Sequence, residues 1–193
     1  MKVIVWDVDD VLNDLMGAWL RDWTESGSGV VGRAYEQLTD NPPHDLLGIS
    51  RAVYLESLDA FRLGGKAAGL APEPEVHEWF CRQGEACRHV ALTAVPLRTV
   101  HISAEWVMRN FGRWIRSFNV VPSARPADGA QGSRETKADF LRWWGKGDIL
   151  VDDREENIAG ARSMGMCGVL FPRPWNHCSR TIRETLEELT GLI

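Results

Sequence analysis

Lys2-Val3-Ile4-Val5-Trp6-Asp7-Val8-Asp9-Asp10-Val11-Leu12 is the stretch on which the fold turns. An apolar run of strand length ends in Asp7, Asp9 and Asp10. A buried strand seldom carries such a load at its tip. Like charges repel one another and resist desolvation, so they need a cation or a charged partner to hold them. Strand Val3 to Trp6 is therefore read as buried, with its acids at an edge where other groups converge.

Four further apolar runs read as buried strands: 89–92, 119–121, 149–151 and 167–171. Helix-period stripes lie between most of them. Val100, Ala104, Val107 and Phe111 share one face; Ala138, Leu141 and Trp144 share another; Ile158, Ala161 and Met164 form a third. Ile182, Leu186, Leu189 and Ile193 close the chain. Continuous apolar strands alternating with amphipathic helices predict an α/β fold, a parallel sheet covered on both faces.

The alternation fails over residues 14–70, which read as helices and turns without a strand. A helix is expected over 15–23, then a loop at Ser26-Gly27-Ser28-Gly29 and a break at Asn41-Pro42-Pro43. Ser50 is expected to N-cap a helix to residue 61. Gly64-Gly65 and Pro72 to Pro74 mark the way out. The segment is read as a helical insertion after the first strand, over the C-terminal edge of the sheet. A second flexible loop is expected over 124–133.

The 193 residues carry a formal net charge of -5 and no basic tract, which argues against a nucleic-acid polymer as partner. Cys81, Cys87, Cys167 and Cys178 form no metal-binding pair and suit a reducing cytoplasm. The first apolar run is broken by Asp7, so no secretion signal is expected, and no stretch approaches the roughly 20 apolar residues of a membrane span. Nine tryptophans are expected in core and hinge packing, and any exposed on the insertion would suit a homodimer.

The chemistry-bearing residues are far apart in sequence. Asp7 and Asp9 end the first strand, Thr93 ends the second, Asp152 and Asp153 follow the fourth, and Lys137 opens the helix before it. In a parallel sheet the strand C-termini share one edge, where ligands bind. Clustered carboxylates there suit a hard cation such as Mg²⁺. A carboxylate brought to a phosphoryl group beside such a cation becomes a usable nucleophile, a second can move protons, and a hydroxyl and an ammonium can hold phosphoryl oxygens.

In their order and context, Asp7-Val8-Asp9-Asp10-Val11-Leu12, Thr93, Lys137 and Asp152-Asp153 resemble the haloacid dehalogenase-like phosphohydrolase superfamily. The motifs frame almost the whole chain. Leu92-Thr93-Ala94-Val95-Pro96, Val151-Asp152-Asp153-Arg154-Glu155-Glu156-Asn157 and Pro172-Arg173-Pro174-Trp175-Asn176 bring it closer to the 5'-nucleotidase branch, including the deoxyribonucleotidases with a small helical cap.

The resemblance implies a three-layer Rossmann-like core over 1–13 and 71–193, with a cap over 14–70. It implies Asp7 as nucleophile and Asp9 as general acid/base, with Asp7, the Asp9 carbonyl and Asp152 on Mg²⁺ and Asp153 in support. Thr93, Ala94 and Lys137 would hold the phosphoryl group. Asp9 sets the chain apart from the dehalogenases, which lack an acid there, and from P-type ATPases, which have Thr. Asp10 stands where Gly or Ser is common.

The plainer readings are specific too. Thr93 alone is an ordinary strand residue, Lys137 a solvated first-turn lysine, and Asp153 an N-cap for a helix from Arg154. Asn157 reads as a loop former, Arg173 and Asn176 equally as turn formers or ligand contacts, and the five histidines show no metal-ligand spacing. The expected activity is Mg²⁺-dependent phosphomonoester hydrolysis through an aspartyl-phosphate, with a nucleoside 5'-monophosphate as substrate. A sugar phosphate or other small phosphometabolite is the alternative, and a non-catalytic binding module is the reading of another class.

Overall fold

The computed structural model describes residues 1–27, 33–123, 125 and 135–193. Residues 28 and 29 of the first expected loop, and all of 124–133 except Arg125, lie outside the described residues.

Five parallel strands form one sheet in the order β3-β2-β1-β4-β5. They are β1 (Val3–Trp6), β2 (Arg88–Val95), β3 (Ile115–Pro122), β4 (Ile149–Asp152) and β5 (Cys167–Leu170). Side-chain alternation on β1 sets the layers: Ile4 and Trp6 face one side, Val5 the other. On the first side pack α3 (Pro74–Gln83), α4 (Val100–Phe111) and α7 (Ile182–Gly191). On the second pack α5 (Lys137–Trp144) and α6 (Glu155–Ser163). This is the expected three-layer α/β arrangement.

Strands two and three run longer than the apolar runs predict. The tails of β2 and β3 pair residue for residue out to Val95 and Pro122. Thr93 is therefore inside β2 rather than at its end. The helix over Pro74–Gln83 was not expected. Only three of its residues, Val76, Trp79 and Phe80, are buried, and the prolines before it read as a break; Pro74 instead occupies the first turn, where a missing N–H costs nothing.

The 14–70 segment holds α1 (Leu15–Glu25) and α2 (Arg51–Leu63) and, among the described residues, no strand. Asp14 caps α1 by accepting from the Gly17 N–H, and Ser50 caps α2 by accepting from the Val53 N–H. Leu15, Met16, Trp19, Leu20, Tyr54, Leu58 and Phe61 close a cluster separate from the two sheet-facing cores. The segment leaves and rejoins the sheet at one place. Asn13 bridges Pro72, and the Glu73 N–H donates to the Leu12 carbonyl at 2.8 Å.

The tryptophans divide as packing dictates. Trp6, Trp19, Trp79 and Trp106 are buried, and Trp23 is half-buried against Trp19. The exposed one is Trp143, which lies on α5 and not on the insertion. Among the described residues, no helix is long and apolar enough to cross a membrane.

Candidate active site

The sheet order makes β1 and β4 neighbours, which brings Asp7 beside Asp152 although 145 residues separate them. The Asp7 N–H donates to the Val151 carbonyl at 2.9 Å, extending the ladder one residue beyond β1. The Asp7, Asp152 and Asp153 carboxylates are buried, with ligand atoms all within 4.8 Å of one another. Lys137, on the first turn of α5, reaches between two of them: its Nζ lies 2.6 Å from Asp7 Oδ2 and 2.7 Å from Asp152 Oδ2. With 4% of its surface exposed, Lys137 is not a solvated first-turn lysine.

Hydrogen bonds fix each acid. The Val8 N–H donates to Asp7 Oδ1 at 2.7 Å. Asp152 Oδ1 accepts from the Arg154 N–H and from Asn157 Nδ2, both at 2.9 Å. Asp153 Oδ2 accepts from Trp175 Nε1 at 2.6 Å. Asp153 thus does not cap α6; the half-helical residue there is Arg154, without a side-chain cap. Asn157 orients Asp152, and Asn176 forms the turn by donating to the Phe171 and Asp153 carbonyls.

One ammonium among three acids leaves the charges unequal. Burial pushes the Asp7 carboxyl well above the usual carboxylate range; Lys137 pulls it back, and Asp152 and Asp153 push it up again. Burial, Asp152 and Asp10 raise Asp153 likewise. Burial works against the Lys137 charge, but Asp152 and Asp7 outweigh it and hold the ammonium protonated. The cation is over-compensated and the acids under-compensated. Three hard oxygen donors short of positive charge fit a divalent cation such as Mg²⁺.

Asp9 stands apart from this cluster. Its Oδ2 pairs with Arg62 Nη2 at 2.9 Å, and Arg62 comes from α2 of the insertion. Arg62 Nη1 also lies 3.3 Å from Asp59 Oδ1 one turn back. Asp59, 2% exposed, collects two more guanidinium groups. Arg125 binds it through Nε at 2.7 Å and Nη2 at 3.0 Å, and Arg98 through Nη2 at 2.7 Å. Burial opposes the Asp59 charge, yet the hydrogen bonds from Arg125 and Arg98 hold it below the usual carboxylate range.

Asp10 serves the backbone. At φ 63° it adopts the left-handed conformation that favours Gly, and its side chain accepts from the Met16 N–H at 2.8 Å. Burial pushes Asp10 up to about 7, against the pull of Arg173. Arg173 holds the joint between sheet and insertion. Its Nε donates to the Asp10 carbonyl at 2.6 Å, and its Nη2 lies 3.1 Å from Glu73.

Asp7, Asp9, Thr93, Ala94, Lys137 and Asp153 all line one cavity of about 460 Å³ between the sheet edge and the insertion. A larger groove, about 760 Å³, runs between α6 and the residues after β5 but contains none of these acids. The chemistry places the site in the smaller cavity. Asp59, Arg62, Arg98 and Arg125 are what sequence reasoning missed. Asp59 and Arg62 sit among Leu58 and Phe61 on the buried side of α2, and charges on an apolar stripe were the available signal.

Comparison with solved structures finds the same fold in haloacid dehalogenase-like hydrolases. A haloacid dehalogenase-like hydrolase from Streptococcus pneumoniae aligns over 100% of this chain and 99% of its own, with a TM-score of 0.61 at 13% identity. Protein tyrosine kinase A of Mycobacterium tuberculosis aligns over 98% of each chain, with a TM-score of 0.67 at 14% identity. A Thermotoga maritima protein assigned as a beta-phosphoglucomutase covers 100% of both chains, with a TM-score of 0.57 at 16% identity. No family model matches the sequence, and no curated protein matches it. These neighbours lend no support to the expected 5'-nucleotidase branch. At such identities they share a fold, and a kinase among the hydrolases shows that fold alone does not fix the reaction.

Proposed function

We propose that this chain is a Mg²⁺-dependent phosphomonoester hydrolase acting through an aspartyl-phosphate on Asp7. The observation that carries the reading is Asp7, Lys137 and Asp152 in contact at the sheet edge, with Asp9 facing the same cavity. Asp7, Asp152 and the Asp9 carbonyl would hold the ion, with Asp153 in support. When bound, Mg²⁺ supplies the positive charge that lets a carboxylate approach a phosphoryl group.

In this reading an Asp7 oxygen attacks phosphorus while the ester P–O bond breaks. Asp9 gives its proton to the departing alkoxide, then takes one from the water that attacks the aspartyl-phosphate, releasing inorganic phosphate and restoring Asp7. Lys137 and Thr93, with the backbone at Ala94, hold the other phosphoryl oxygens. Residues 14–70 act as the cap that shapes the leaving-group side, over a core of 1–13 and 71–193.

The substrate is a small phosphorylated metabolite. A sugar phosphate suits the likeness to the protein assigned as a phosphoglucomutase, whereas a nucleoside 5'-monophosphate rests on the sequence resemblance alone. Phosphate release from a panel of both, with and without Mg²⁺, tests the reading. Asp7→Asn is expected to abolish release, and unchanged release in that variant would refute the mechanism.

A further inference from the structure

The Arg62 guanidinium is buried, yet it lines the cavity that holds Asp7 and Lys137. Its contacts are uneven. Its share of Asp59 is the longest of that carboxylate's four guanidinium contacts, at 3.3 Å, because Arg125 and Arg98 lie at 2.7 to 3.0 Å on the same two oxygens. Its shorter partner is Asp9, at 2.9 Å. One N–H on each terminal nitrogen is engaged in these pairs, and a guanidinium carries further donors in a planar fork suited to a carboxylate or phosphate. Asp59 fixes the base of that fork from the same helix.

The pair with Arg62 ties the Asp9 carboxylate to α2, although the proposed reaction needs that carboxylate at the scissile oxygen. Another anion at the fork would offset the Arg62 charge and leave Asp9 free to turn to the scissile oxygen. Given the hydrolase reading above, on which this rests, we propose that Arg62 is a specificity-determining residue: it recognises a second anionic group, carboxylate or phosphate, on the leaving group of the substrate. A nucleoside leaving group has no such anion, and neither does a simple sugar.

The test uses the full-length protein with Mg²⁺ and matched substrate pairs. For the carboxylate arm, 3-phosphoglycerate is compared with glycerol 3-phosphate; for the phosphate arm, glucose 1,6-bisphosphate with glucose 6-phosphate. In at least one arm the substrate with the second anion is expected to have the higher kcat/KM by about tenfold or more, the factor that ~1.4 kcal/mol makes. Which arm responds names the anion. The ratio within that pair should fall toward one in Arg62→Gln, or be reduced in Arg62→Lys if the glutamine variant does not fold. Wild-type ratios near one in both arms overturn the proposal alone, as does a ratio that survives the substitution. No phosphate release from any of the four compounds overturns the proposal, and the hydrolase reading falls with it only if nucleoside 5'-monophosphates release none either.

Discussion

The two walls of the cavity are electrostatic opposites. On the sheet edge, Asp7, Asp152 and Asp153 cluster, with one ammonium, Lys137, between the first two. On the insertion side, Arg62, Arg98 and Arg125 crowd around one carboxylate, Asp59. Each wall is built from charges that a sheltered site disfavours, and each is held together by a single counter-ion. The acid wall is short of positive charge and suits a cation. On the guanidinium wall, Arg62 lines the cavity with a forked donor group and suits an anion. Asp9 and Arg62 join the two.

The largest effect comes from removing the counter-ion of the acid wall. Lys137→Met leaves buried carboxylates unpaired and should cost about 4 kcal/mol of stability at pH 7. Part of that loss should return in millimolar Mg²⁺, read from urea unfolding with and without the ion. Asp59→Asn, on the opposite wall, should cost about 3 kcal/mol. Mg²⁺ should restore none of it beyond the gain seen in wild type, and a larger recovery would erase the contrast between the walls.

A smaller effect separates both walls from the far edge of the sheet. His89, at the start of β2, is buried; its Nδ1 accepts from Trp6 Nε1 at 3.0 Å and its Nε2 lies 2.9 Å from the Gly84 carbonyl. Burial lowers its pKa from 6.5 to about 4. The unfolded chain therefore binds the proton first on acidification. The stability tied to neutral His89 is complete above 6.5 and is lost as pH falls toward 4. Between pH 7 and pH 5 that loss is about 2 kcal/mol. His89→Gln should flatten the unfolding free energy over this window, and an equally steep profile would show that other groups govern it. Smallest is Ser50→Ala, which removes the α2 cap and should cost about 1 kcal/mol in thermal unfolding. Because α2 carries both Asp59 and Arg62, the same variant tests whether the guanidinium wall tolerates a loosened helix end.

The acid wall was legible in the sequence and the guanidinium wall was not. Acids at strand tips announce themselves, since an apolar run such as Val3 to Trp6 gives no other reason for Asp7, and a parallel sheet forces strand ends together. Lys137 could be placed because it opens a helix next to such a strand. Arg125 had no comparable frame: it falls in the loop expected over 124–133, and nothing in its sequence neighbours says that it meets Asp59 from another layer. Arg62 was hidden differently. Helical spacing placed residue 62 beyond the expected end of its helix at 61, whereas α2 runs to Leu63. The missed helix at Pro74–Gln83 has the same origin: tertiary packing of Trp79 and Phe80 against Trp6 decided a segment whose local sequence read as a break.

The Asn13–Pro72 bridge has a consequence for how such a chain can change. Two strands of covalent chain cross from sheet to insertion side by side, clasped by Arg173 through Asp10 and Glu73. Everything between them hangs from a closed doorway. Segments suspended in this way can lengthen, shorten or be replaced with little disturbance to the strand register outside, since closing a longer loop costs only slowly more. On the proposed reading, substrate preference can then drift in the 14–70 segment while the acids at the sheet edge keep their places.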